Sequence, residues 1–353
     1  MIYHLSFFLI PYYSFFNLFH YTSFRAIAAL LTALFLSFLF GNWFIKKSNN
    51  MFQSGPREHT PESHKKKKNV PTMGGIFVLS TVIISCFLWG NLSKLNLWIG
   101  ILSLLLFGII GLIDDLNKIN KKKGISAKTK FILQLFFAFL IVLLMLYSGL
   151  STNISFPFFK NFQPDLGLFF IFWAMFIIVG CSNAVNLTDG LDGLAIGSLI
   201  SNFVTFSIIA FLAGHIKLAS YLNIPYTGSS ELVILGSALI GASFGFLWYN
   251  SYPAQIFMGD VGSLSLGACL ASMALMTKQE ILLIISGGLF VLETMSVIIQ
   301  VFSFKFTGKR MFKMAPIHHH FELIGWPESK ITTRFCIISI ILSLLALITL
   351  KIR

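Results

Sequence analysis

The chain has 353 residues, of which 56% are hydrophobic and only 11% charged. Soluble domains carry about a quarter charged residues, so a water-soluble globular fold is excluded and lipid is the expected solvent. The formal net charge is +13, from 26 Lys and Arg against 13 Asp and Glu, and the positive charge is gathered in a few polar loops.

Residues 1–22 are aromatic and apolar but carry His4, Pro11, Asn17 and His20, which predicts an interfacial segment rather than a span. No cleavable signal peptide is evident, the first basic residue being Arg25. A bilayer core takes about 20 apolar residues per helix. Ten stretches meet that need: 24–45, 74–90, 96–113, 131–149, 166–185, 194–213, 231–249, 261–277, 281–303 and 332–350. The expected fold is all-α, a single polytopic membrane domain. Cys86, Cys181, Cys269 and Cys336 lie in or beside these runs without Cys-x-x-Cys spacing, and read as small apolar filler.

Lys and Arg divide sharply between the connections. Those after spans one, three, five, seven and nine hold seven, six, none, none and five; those after the even-numbered spans hold one each. The positive-inside rule then places the odd loops in the cytoplasm and both termini on the periplasmic side. Five of the six aspartates, Asp114, Asp115, Asp189, Asp192 and Asp260, fall at those cytoplasmic loops. Carboxylates are costly in lipid, so acids gathered at one face point to chemistry done there.

The first cytoplasmic loop contains Lys65 to Lys68, a run that attracts anionic headgroups or a polyanionic ligand. Pro71-Thr72-Met73-Gly74-Gly75 predicts a turn before the second span, its paired glycines leaving N–H groups open to an anion. Asp114-Asp115 ends the third span and is followed by Lys118, Lys121 to Lys123, Lys128 and Lys130. Hard oxygen ligands beside phosphate-binding lysines suit Mg²⁺. Acids at a helix C-terminus oppose the dipole, which favours a functional reason for them.

Asn186-Leu-Thr-Asp189-Gly-Leu-Asp192-Gly193 packs two acids, an amide and two glycines between spans five and six with no obvious packing purpose. It superficially resembles a calcium loop but lacks the later Glu. Asn250 to Asp260 is the matching element after span seven, with Phe257 placed to stack on a base or to anchor at the boundary. The last loop, Met314 to Glu328, holds His318, His319 and His320, which cannot form a zinc triad by themselves but can donate to a pyrophosphate. Glu293 lies within span nine with Ser296 and Gln300 near it, either a functional acid or half of a structural hydrogen-bonded pair.

In this order the motifs resemble the polyprenyl-phosphate N-acetylhexosamine-1-phosphate transferases, from Phe24-Arg25-Ala26 to about Glu328. The last loop, with His318-His319-His320-Phe321-Glu322, narrows the resemblance to the muramoyl-pentapeptide branch. Val70 stands where that family usually has Thr, and Lys128 where Arg is frequent. The resemblance implies transfer of phospho-N-acetylmuramoyl-pentapeptide from its uridine diphosphate carrier to undecaprenyl phosphate, giving lipid I and UMP. It also implies Mg²⁺ as cofactor, a bacterial inner-membrane location and a homodimer, and no nucleic-acid partner.

Carried over by position, Asp260 is the metal ligand, and Asp114, Asp115 and Asp260 form the catalytic centre. Lys67, Asp192, Asn250 and Phe257 surround the uridine, with Thr72, Asn186 and Asp189 nearby. Lys118, Lys130, His318 and His319 face the phosphates. Asp114 either orients the lipid phosphate for direct attack, or an aspartate is the nucleophile of a two-step route. Two other readings stand beside this one. A UDP-N-acetylglucosamine-1-phosphate transferase would keep the chemistry and change the sugar. An ion-coupled transporter would use the acids as a pathway, although such groups belong near the midplane of repeated halves.

Overall fold

Apolar runs of this length cannot leave backbone polar groups unpaired in lipid, so helix is the form they take. The computed structural model describes residues 1–51, 70–121, 123–159 and 162–352, and among these it contains no strand. Its helices in chain order are α1 (Ile2–Leu9), α2 (Thr22–Met51), α3 (Gly74–Trp89), α4 (Leu95–Lys121), α5 (Ala127–Tyr147), α6 (Phe169–Thr188) and α7 (Leu194–Ala213). There follow α8 (Ile216–Leu222), α9 (Leu232–Asn250), α10 (Gly259–Met276), α11 (Glu280–Ser286), α12 (Gly288–Thr307), α13 (Ile317–Leu323) and α14 (Glu328–Thr349).

The chain is a multi-pass membrane protein. Nine helices among the described residues are long and apolar enough to cross a bilayer, and α3 is a shorter apolar helix of 16 residues, about 24 Å long. These ten elements fall on the ten expected stretches. Residues 1–22 form α1 and a 3-10 turn, Ser14–His20.

Two boundaries differ from expectation, each for a local reason. The stretch 281–303 is divided at Gly287 into α11 and α12, so the ninth crossing is a broken helix. The third span continues past residue 113 to Lys121, which puts Asp114 and Asp115 inside α4. Lys118 and Lys121 then occupy its last turn, where positive charge suits the dipole. The acids are therefore not at the helix end.

The core is built on α10, whose residues from Asp260 to Met276 are all buried. Helices in lipid gain little from apolar burial alone, and close approach of small residues supplies the contact. A Cβ on Gly111 of α4 would lie 2.3 Å from the Asp260 carbonyl oxygen, and one on Gly75 of α3 2.1 Å from the Gly262 nitrogen. Glycine at these two positions lets α3 and α4 seat directly on the start of α10. Around this centre α2, α5, α12 and α14 turn residues such as Leu39, Phe136, Phe302 and Ile340 outward, as a lipid-facing belt requires.

The opposite end is fastened separately. Arg25 at the start of α2 donates from both terminal nitrogens to Glu231 before α9, at 2.9 and 2.7 Å, and both residues are buried. The Glu231 carboxylate also accepts the Asn91 N–H at 3.0 Å. The sixth aspartate, Asp165, lies in the α5–α6 connection. The Thr152 hydroxyl and then the Gly167 N–H hold its carboxyl below the usual range.

Candidate active site

Two helices carry the three acidic residues to one point. Asp114 and Asp115 come from α4, and Asp260 sits in the first turn of α10, where the dipole favours an acid. All three are buried, and each offers an oxygen within 4.8 Å of the others. Adjacent buried carboxylates repel, and the fold answers with two ammonium groups. Lys118 Nζ reaches Asp114 Oδ2 at 2.7 Å, Asp115 Oδ1 at 3.2 Å and Asp260 Oδ1 at 2.9 Å. Lys130, from α5, bonds Asp260 Oδ2 and lies 3.7 Å from Asp114 Oδ2.

The acids are held differently. The Ile125 N–H donates to Asp114 Oδ1 at 2.8 Å and the Val261 N–H to Asp115 Oδ2 at 3.2 Å, so backbone fixes one oxygen of each. Both Asp260 oxygens instead meet lysine ammoniums, which can move aside. The set fits a hard divalent cation: three clustered carboxylates that already gather two ammonium groups. The cluster can therefore bind a metal.

Thr72 stands next to this centre. A Cβ on Gly259 would lie 3.1 Å from Thr72 Oγ1 and 2.5 Å from Asp115 Oδ2. The expectation that Gly74 and Gly75 leave N–H groups open to an anion is corrected. Their N–H groups donate to the Phe257 and Met258 carbonyls at 2.9 and 2.8 Å, while the Phe257 N–H donates to the Pro71 carbonyl at 2.8 Å. Backbone pairing is what the turn is for, and it fixes Phe257 beside the start of α3.

The Asn186–Gly193 loop and the segment after α9 lock together. Asp192 Oδ2 accepts the Ala254 N–H at 3.0 Å, and the Asp192 N–H donates to Glu328 Oε1 at 2.8 Å. Asn250 Oδ1 accepts the Gly193 N–H at 3.1 Å and its Nδ2 donates to the Ile256 carbonyl at 2.7 Å. Asp192 and Asn250 thus bind the two loops to each other. Asn186 Nδ2 donates to Ser263 Oγ at 2.8 Å, three residues beyond Asp260 on α10. Asp189 caps α6 in the same loop.

The last loop folds as α13 and brings two histidines under cover. His318 Nδ1 lies 3.0 Å from Glu293 Oε2, and His319 Nδ1 lies 2.6 Å from Glu322 Oε2. Lys67 lies outside the described residues. The reading of sequence missed Glu328, Ser263 and Ile125 as supports. Only Glu328 carried a signal, as the acid closing the last motif.

A family model described as glycosyl transferase family 4 matches residues 97–278, just over half of the chain. Three relatives align over 100% of both chains. Proteins of Citrifermentans bemidjiense and of a Geobacter species are each 49% identical to this chain, and one of Syntrophus aciditrophicus is 51% identical. All three are named phospho-N-acetylmuramoyl-pentapeptide-transferase. The chain belongs to that transferase family. Members are phosphotransferases acting between a nucleotide sugar and a lipid phosphate. Membership at this identity also removes the transporter reading.

Proposed function

We propose that the chain transfers phospho-N-acetylmuramoyl-pentapeptide from its uridine diphosphate carrier to undecaprenyl phosphate, releasing UMP and forming lipid I. The observation that carries the reading is the buried Asp114, Asp115 and Asp260 cluster bridged by Lys118 and Lys130. One diphosphate replaces another, so catalysis is mostly positioning and charge neutralisation.

Asp260 is the principal holder of Mg²⁺, with Asp114 and Asp115 completing the acidic centre. When bound, the ion supplies Lewis-acid neutralisation of the diphosphate. Lys118 and Lys130 turn from the carboxylates to phosphate oxygens as substrate enters. Asp114 orients the lipid phosphate for direct attack on the β-phosphorus; the pinning of its Oδ1 by Ile125 supports a fixed acceptor at Oδ2. Asp192, Asn250 and Phe257, with Thr72, Asn186, Asp189 and Lys67, frame the uridine, and His318 and His319 face the phosphates.

A groove of about 1070 Å³ runs along α12, floored by Val297, Val301 and Phe304 and edged by Lys305, Arg310 and Lys313. It supports lateral entry of the polyprenyl chain beside cationic groups. The site faces the cytoplasm of a bacterial inner membrane, and the protein works as a homodimer. Donor competition in detergent tests the branch. Turnover of the muramoyl donor unaffected by excess UDP-N-acetylglucosamine is expected, whereas UMP release from the glucosamine donor would shift the assignment to the other sugar. A phosphorylated aspartate trapped with donor alone would replace direct attack by the two-step route.

A further inference from the structure

Glu293 is fully buried within α12, where an acid without a partner is costly. Its neighbours one and two turns along are occupied otherwise. Ser296 Oγ donates to the Glu293 backbone carbonyl at 2.7 Å, and Gln300 exchanges hydrogen bonds with the Phe312 backbone at 3.0 and 2.9 Å. The Glu293 carboxylate reaches across instead to His318 Nδ1, 25 residues along the chain.

His318 is likewise fully buried, and its other nitrogen, Nε2, has no hydrogen-bond partner among the described residues. That atom faces the Asn186–Gly193 loop: a Cβ on Gly190 would lie only 2.2 Å from it. The ring is thus wedged between α12 and the loop that Asn186 ties to α10 next to Asp260. A buried polar nitrogen turned into a loop of the site, without a partner among the described residues, calls for a physical reason.

We propose that Glu293 is a positioning residue: it holds the His318 ring through Nδ1 so that Nε2 is presented, beside Gly190, to an anionic oxygen of the donor's diphosphate. The carboxylate at Nδ1 fixes the orientation of the ring and leaves Nε2 as the polar atom turned toward the loop. Among the described residues, His319 lies 4.2 Å from the ring between centroids and is engaged with Glu322, and Asp189 precedes Gly190 in the chain. Gly190 is the complementary part, since any side chain there would push the ring off the loop. The inference rests on the proposed transferase reading.

The test is steady-state kinetics on the purified full chain, varying the muramoyl donor and the lipid phosphate in turn, with thermal unfolding measured alongside. Glu293→Gln, which keeps shape but removes charge, is expected to stay folded and raise donor KM about tenfold, the scale of one hydrogen bond to a charged group. The lipid-phosphate KM should not change, and Glu293→Asp should recover part of the loss. Gly190→Ala should raise donor KM similarly, and the two changes together should be far from additive. Unchanged constants in Glu293→Gln, or an effect confined to the lipid KM, would overturn the proposal. Should Glu293→Gln fail to fold, a folded Gly190→Ala with unchanged donor KM overturns it instead. A wild-type protein that does not turn over the muramoyl donor at all would mark failure of the transferase reading itself.

Discussion

Three carboxylates against two ammoniums leave the cluster of Asp114, Asp115, Asp260, Lys118 and Lys130 with one formal negative charge in excess. A divalent cation reverses that sign and makes the centre attractive to a diphosphate. Asp260→Asn should therefore fold normally yet lose nearly all turnover at every Mg²⁺ concentration; wild-type activity would remove Asp260 from the metal. Lys118→Gln takes away the group that touches all three acids. Its side chain is 37% exposed, so solvent screening reduces the cost of breaking these pairs to about 1–2 kcal/mol. Thermal unfolding should show a lowered Tm in EDTA, with a larger rise on adding Mg²⁺ than in wild type; an equal rise would mean that cation and lysine do not share the site. These residues were legible in sequence because acids and lysines among apolar runs have few structural reasons to exist. That one lysine would serve three acids was not legible, since it depends on how α4 meets α10.

At the scale of elements, the site is set by how closely helices approach. The contact of Gly111 with the Asp260 carbonyl fixes the distance between the acids of α4 and the acid of α10. Gly111→Ala must part the two helices, at roughly 1–3 kcal/mol for overpacking, and should cost activity well beyond the fraction unfolded. Activity lost only in step with Tm would place the effect on stability alone. Asn250→Ala strands the Gly193 N–H and the Ile256 carbonyl, each costing about 1–3 kcal/mol when buried. A lower Tm together with a higher donor KM is expected, and a variant with both unchanged would show that these loops need no such tie. Hydropathy located the helices, but it could not extend α4 to Lys121 or break the ninth crossing at Gly287. Charged residues end an apolar window without ending a helix, and a Gly-Gly pair inside one leaves the window intact. The pairing of Glu293 with His318 joins a helix to a distant loop, a contact that local spacing does not encode.

For the whole molecule, chemistry and anchorage lie at opposite ends of the bundle. Arg25 and Glu231 form a buried ion pair far from the acidic cluster, and breaking one partner of such a pair typically costs about 3–5 kcal/mol. Glu231→Gln should lower Tm markedly while the folded fraction keeps the wild-type kcat; a fall in kcat per folded molecule would reveal coupling between the two ends. The order of motifs along the chain made the family legible before any contact was known, because each motif ends or begins an apolar run on the same side. In the proposed function, this cluster performs a metal-dependent exchange of one diphosphate for another. UMP release by detergent-purified protein, given undecaprenyl phosphate and UDP-N-acetylmuramoyl-pentapeptide, tests it most directly. Release with Mg²⁺, abolished by EDTA and restored by adding the ion back, is the predicted result. A folded protein that releases UMP equally well in EDTA would contradict the account.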